Sequence, residues 1–182
     1  MNFILKILGI YIPANVRKDA IKQLFQATAE AFQAGLPSIK NQSWQEYLHQ
    51  YALFTQSQVE KLIKSENNIE PVKKRLFQNA YQLGEMYRKK FRIQTIKEAM
   101  ALARILYRII GIDFHGDARG EIIINRCYFS RFYNNQVCQV MSAMDKGVLA
   151  GLTNGGELVF SSRITENQSC CQGNLILPEN TK

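Results

Sequence analysis

The 182-residue chain has few of the residues from which catalytic and metal centres are commonly built. It has two histidines, His49 and His115, one tryptophan, four prolines and four cysteines. The histidines lie far apart, and neither stands beside a cysteine, so no local Cys–His pair is evident. The cysteines, Cys127, Cys138, Cys170 and Cys171, include no C-x2-C or C-x2-H pair. Structural zinc is usually held by such short spacings, and adjacent Cys170 and Cys171 are too close to chelate comfortably, so no metal is expected. No run of 18 or more apolar residues occurs, which excludes a conventional transmembrane helix and any stable membrane insertion through one. Low-complexity segments and internal repeats are also absent. The opening stretch, MNFILKILGIYI, carries Lys6 inside its apolar run, and no small-x-small cleavage site follows. It is expected to dock as a helix or strand of the fold, with weak membrane adhesion as the other reading. With no secretory signal evident, the thiols are expected to be reduced and the protein cytoplasmic.

What is present is a positive excess, a formal charge of +8. It lies entirely within residues 1–110 and is densest at Lys73-Lys74-Arg75 and Arg88-Lys89-Lys90-Phe91-Arg92. Such clusters can attract polyanions. No nucleic-acid motif accompanies them, so they are read as solvated helix faces and no nucleic-acid partner is expected.

Those first 110 residues have helical periodicity. Val16, Ala20, Leu24, Ala27 and Ala31 form one stripe within 15–34, with Asn15 as expected cap and Gly35 and Pro37 as stop. Ser43 to Glu46 is a capping box, followed by Trp44, Tyr47, Leu48, Tyr51 and Ala52 on one face, read as core. Thr55 to Ser65 is expected to continue as a short amphipathic helix. Pro71 suits a first helical turn, and Val72, Leu76, Ala80, Leu83 and Tyr87 point inward from residues 71–92. Thr95 to Glu98 opens a further helix that runs through Ile110 and ends at Gly111. The helical part therefore holds four to five helices.

Beyond Gly111 the pattern changes. His115 to Gly120 is turn chemistry, and Glu121 to Phe132 is rich in Ile and aromatics, as in a strand. Asn134 or Asn135 caps a helix to about Ala150. Glu157 to Thr165 and Ser169 to Leu177 are expected strands, and the tail after Pro178 is expected to fray. The fold class is α+β: a helical N-terminal half packed on a small strand–helix–strand–strand unit. Residues 1–182 are read as a single domain, with a helical portion at 1–110 and a cysteine-containing portion at 111–178.

The chemistry gathers in this second portion. Cys138 and Asp145 are seven residues apart and share a helix face. Cys127 lies on the preceding strand and Cys170 at the start of the last one. On a strand, Cys170 and Cys171 must face opposite ways. Cys138 falls near a helix N-terminus, where the dipole favours a thiolate, and Arg126, Arg131 or Arg163 could assist. For either Cys127 or Cys138 alone, the other reading is a small buried apolar side chain. Asp145 on an apolar face would need a partner such as Arg163.

The order Arg126-Cys127-Tyr128-Phe129, Cys138, Asp145, Arg163-Ile164-Thr165 and Cys170 or Cys171 resembles the L-2-amino-thiazoline-4-carboxylic acid hydrolase family over about 50 residues. Asn167 stands where such sequences usually have Gly, and Asn tolerates the same turn. The resemblance implies hydrolysis of a C–N bond in a small cyclic amidine carboxylate. Cys127, Cys138 and Asp145 would then be catalytic, with Asp145 as general base and a thiol as nucleophile or pocket wall. Arg126, Arg163, Thr165 and Cys170 would bind substrate, Arg163 as a fork on its carboxylate. More distantly, the chain is similar to vinyl-reductase and TRAPP-subunit ligand-binding domains. That implies a small-molecule or lipid-binding module without catalysis, its cysteines structural and its helices able to form a homodimer. A fainter likeness is to plastid carotenoid isomerases, whose further cysteine is Ser142 here. No cofactor is identified on either reading.

Overall fold

The computed structural model describes residues 3–37, 42–66 and 68–178. Its helices are α1 (Phe3–Ile10), α2 (Ala14–Phe32), α3 (Trp44–Lys64), α4 (Glu70–Lys90), α5 (Ile96–Ile109) and α6 (Asn135–Thr153). Its strands are β1 (Ile112–Gly116), β2 (Glu121–Cys127), β3 (Glu157–Ser162) and β4 (Cys171–Ile176). The fold is α+β, with five helices preceding a four-stranded antiparallel sheet into which α6 is inserted. The strand order is β1-β2-β4-β3.

Local chemistry accounts for most helix ends. Ser43 and Glu46 form the expected capping box: the Glu46 N–H donates to Ser43 Oγ at 3.3 Å, and the Ser43 N–H donates to Glu46 Oε2 at 2.7 Å. Helix α3 continues without a break to Lys64, so the separate segment expected from Thr55 belongs to it. Helix α2 begins differently from expectation. Pro13, not Asn15, is the cap, with φ of −58° preset for helix entry and no side-chain bond. It ends at Gln33, which adopts φ of 55° and donates its N–H to the carbonyls of Ala29 and Glu30, two residues before Gly35. Thr95 caps α5 by accepting from the Glu98 N–H at 3.3 Å.

Further differences lie in the sheet. The strand expected over Glu157 to Thr165 ends at Ser162, and a 3-10 turn over Ile164–Glu166 follows. Ile112 to Gly116, read in part as turn, is a strand paired with β2. The strand expected over Glu121 to Phe132 stops at Cys127, where a 3-10 turn over Tyr128–Arg131 takes over. The expected frayed tail after Pro178 lies outside the described residues.

Helices α4 and α6 cross at glycines. A Cβ on Gly147 would stand 2.3 Å from the Phe77 carbonyl oxygen, one on Gly151 2.2 Å from that of Tyr81, and one on Gly84 2.3 Å from that of Val148. Only hydrogen fits at these points, so the two backbones run in direct contact. With α6 fixed in this way, most of its remaining residues are buried, while Gln136 and Gln139 stay exposed. One continuous apolar cluster runs from Leu5 on α1 to Leu175 on β4.

Candidate functional site

A cavity of about 120 Å³ lies where α2, α3, α4, α5 and α6 meet the ends of β1 and β2. Its walls include Leu24, Leu83, Leu106, Ile109, Met141, Met144 and Val148, with Tyr51, Tyr87, Tyr107, Phe129 and Tyr133. The tyrosine hydroxyls already have partners. That of Tyr51 bonds to Thr28 Oγ1 at 3.1 Å, that of Tyr87 donates to Gln23 Oε1 at 2.9 Å, and that of Tyr133 bonds to Thr55 Oγ1. Burial pushes the Tyr87 phenol up to about 12, and those of Tyr51, Tyr107 and Tyr133 also rise, so all four stay neutral.

The charged group in this wall is Asp145. Its Oδ1 accepts from the Tyr107 hydroxyl at 2.8 Å. Protein atoms surround the carboxyl closely enough for burial to push it up from 3.8 to about 6, while the Tyr107 bond and the Arg163 charge pull it back. The residue stays half-exposed, on the side that lines the cavity. Among the described residues, Asp145 forms no ion pair. Arg163, its expected partner, instead donates from Nη1 to Glu166 Oε1 at 3.3 Å and lies 4.9 Å over the Phe160 ring. Its Nε is buried without a hydrogen-bond partner.

Two β-bulges deliver site residues. In β2, Ile122 and Ile124 face the core. The register then jumps from Phe114↔Ile124 to Asp113↔Arg126, leaving Asn125 unpaired. One extra residue inverts the alternation, so Arg126 is exposed and Cys127 reaches the cavity. In β3, Phe160 pairs with Gly173 and Ser162 with Gln172, skipping Ser161. This second inversion carries Arg163 to the inner side, under Phe160.

The thiols are free and cluster here. Cys127 and Cys138 line the cavity, and buried Cys171 lies close by. Burial raises all three, Cys127 to about 12. The backbone amides of Phe129 and Ser130 pull Cys127 down, and the Ile164 N–H, 3.4 Å from Cys171 Sγ, does the same there. Buried Thr165 Oγ1 makes no hydrogen bond of ordinary geometry but lies near enough to Cys138 to favour its thiolate. The thiolate expected from the helix dipole at Cys138 is therefore opposed by desolvation. The dipole's free donors are also partly spent: Asn134 Oδ1 accepts from the Val137 N–H at 2.9 Å, and the Cys138 N–H donates to the Asn134 carbonyl at 3.0 Å.

Of the residues singled out in sequence, Cys127, Cys138 and Asp145 line the cavity, and Arg163 and Thr165 stand behind its wall, near enough to act on Asp145 and Cys138. Arg126 is exposed opposite Asp113, and Cys170 takes neither place. Cys171 takes the inner place, as the strand alternation requires. Tyr107 was missed as a site residue because it falls on the apolar stripe of α5. Its signal was a phenol that, once buried, needs an acceptor, with Asp145 the only acid on α6. Among the described residues, no group of three or more His, Cys, Asp or Glu side chains is placed to hold a metal ion. No helix among them is long and apolar enough to cross a membrane. Comparison with models of known protein families and with curated proteins finds no match.

Proposed function

We propose that the protein is a small-molecule-binding module whose ligand occupies this cavity. The ligand's apolar body lies against the Leu, Met and Tyr walls, and one hydrogen-bond donor or protonated nitrogen meets Asp145. The observation that carries this reading is the wall itself, apolar and aromatic with a single carboxyl group and neutral thiols. A few placed polar groups within an apolar cavity are the usual composition of a ligand site. This is the behaviour implied by the distant likeness to vinyl-reductase and TRAPP-subunit domains. A carboxyl that titrates near 6 adds a sign: affinity for a cationic ligand rises as pH climbs through that value.

Native mass spectrometry of the purified chain, followed by thermal-shift screening, tests the proposal. Apolar amines are expected to raise the melting temperature more at pH 8 than at pH 5, and matched apolar carboxylates are not. Asp145→Asn is expected to remove that pH dependence while leaving binding of neutral apolar compounds. A protein that retains no compound and is shifted by none of these classes would refute the reading.

One observation favours a second reading, the C–N hydrolase. A carboxyl raised to about 6 and open to a cavity is in the range useful for a general base near neutral pH. Asp145 would take a proton from the water attacking the amidine carbon and pass it to the ring nitrogen as the C–N bond breaks, and Arg163, behind the wall with its Nε unpartnered, would draw the substrate carboxylate to that side. The neutral thiols would then shape the pocket rather than attack. The apolar walls suit so polar a substrate poorly, which ranks this reading second. Turnover of a cyclic amidine carboxylate that survives Asp145→Asn would exclude Asp145 as its base.

A further inference from the structure

Helix α1 turns two different faces to its surroundings. Leu5 is 3% exposed and Ile12, just beyond the helix, 2% exposed, both within the core. On the other side Ile7 is 49% exposed, Tyr11 66% and Ile10 86%. Bulky apolar side chains this open are ordinary when scattered but informative when adjacent. The orientation is held from below. Arg108 on α5 donates to the carbonyls of Gly9 at 2.6 Å and Leu8 at 2.5 Å, so the last turn of α1 is clamped with its apolar stripe outward.

The surroundings of the stripe are basic and aromatic. Lys6 is exposed on the same helix. Arg17 donates from Nε to the Ile12 carbonyl at 3.2 Å and lies 4.9 Å over the Trp44 ring. Burial first, and the nearby Arg17 charge second, lower the Arg108 guanidinium below its usual pKa, which sets the two like charges side by side. Among the described residues neither guanidinium forms an ion pair, so two like charges stand beside exposed isoleucines. A second copy packed on the same face through a two-fold axis would set Arg17 and Arg108 against their own copies, like charge on like charge. The face of a single eight-residue helix, with Ile4 52% exposed beside Ile7, Ile10 and Tyr11, also offers less area than the roughly 800 Å² per partner of a stable interface. A nucleic acid would meet the charge but leave the isoleucines in water.

We infer that α1, with Arg17 and Arg108 at its foot, docks the protein onto an anionic lipid bilayer, lying in the interface without crossing it. Ile7 and Ile10 enter the acyl boundary, Tyr11 sits at headgroup depth, and exposed Lys6 meets the lipid phosphates and carboxylates, while Arg17 and Arg108, held on the carbonyls of Ile12, Gly9 and Leu8, add positive field from below. Such binding is reversible and weakens with salt.

The test is co-sedimentation of the full chain with vesicles of phosphatidylcholine alone, or with roughly one-third phosphatidylserine added. Binding is expected on the anionic vesicles, falling steeply with salt. Ile7→Ser combined with Ile10→Ser keeps the charge and is expected to cut the bound fraction about tenfold, with the melting temperature unchanged. No binding to anionic vesicles overturns the inference, as does equal binding to phosphatidylcholine alone. Undiminished binding of the double variant also overturns it, since charge elsewhere would then suffice. A dimer in sedimentation that the double variant converts to monomer overturns it in favour of a second copy.

Discussion

Asp145 costs the fold stability, and the sign of that cost can be tested. Its carboxyl titrates near 3.8 when solvated and about 6 in the folded protein. Between those values the folded state holds a proton that the unfolded chain has shed, so stability falls as pH rises through the window. The cost is absent below about pH 4 and complete above about pH 6, on the order of 2 kcal/mol once the face open to the cavity is allowed for. Asn keeps an oxygen for the Tyr107 hydroxyl and cannot ionise. Asp145→Asn is therefore expected to stabilise the protein by about 2 kcal/mol at pH 8 and scarcely at all at pH 4, read by urea unfolding at both values. Equal gain at both would mean that ionisation is not the cause. Tyr107→Phe removes the one hydrogen bond that favours the carboxylate, so it is expected to move the Asp145 titration above 6, followed by the carboxyl carbon signal in NMR. A group retained against its own cost to stability is the kind of residue kept for binding or chemistry.

At the scale of elements, α6 is the piece that both packs the fold and lines the site. Its crossing with α4 leaves no room for a methyl at Gly147 or Gly151, where a Cβ would meet backbone oxygens that cannot swing aside. Gly147→Ala and Gly151→Ala are each expected to destabilise by about 1–3 kcal/mol or more. Gly9 in α1 has nothing within 4 Å of its would-be Cβ, so Gly9→Ala is expected to gain about 0.5–1 kcal/mol from helix propensity alone. Calorimetry of the three variants would show whether close approach, rather than helical glycine as such, sets the difference. The helices themselves were legible from their stripes and from local signals such as Ser43 and Glu46. The crossing was not, because Gly147 and Gly151 reveal their role only against α4. The bulges were hidden for a related reason. Unbroken alternation through Ile122 and Ile124 points Arg126 inward, and only pairing with β1 shows that Asn125 is skipped. That one residue explains why Arg126 left the site and Cys127 entered it. Seven-residue spacing on a single helix needs no partner, and so Cys138 with Asp145 could be read directly. The Tyr107 bond joins two helices, and only the assembled fold could reveal it.

The whole molecule couples the cavity to the global folding equilibrium, and its thiols can report the coupling. Cys127 and Cys138 line the cavity and Cys171 lies buried beside it, while Cys170 stands outside and partly exposed. At pH 8 the thiolate fraction of a group at about 12 is roughly a thousandfold below that of one at 9, and its greater nucleophilicity recovers only part of this. Cys127 is therefore expected to react with a disulfide reagent on the order of 50-fold more slowly than a solvated thiol, before burial slows it further. Native protein should thus show one fast thiol, absent in Cys170→Ser, and three slow ones that become equivalent in denaturant. A ligand that fills the cavity binds the folded state only. At about 100 times its dissociation constant it adds roughly 2.7 kcal/mol to stability and suppresses the openings that expose the inner thiols. The expected signature is slower labelling of Cys127, Cys138 and Cys171 together with a higher melting temperature, and no change at Cys170. A compound in the cavity also covers Cys127 and Cys138 directly and slows them more than its gain in stability accounts for, whereas one bound elsewhere slows the inner thiols by no more than that gain. This labelling pattern thereby assigns any stabilising compound to the cavity or to the surface, and needs no knowledge of its chemistry beforehand.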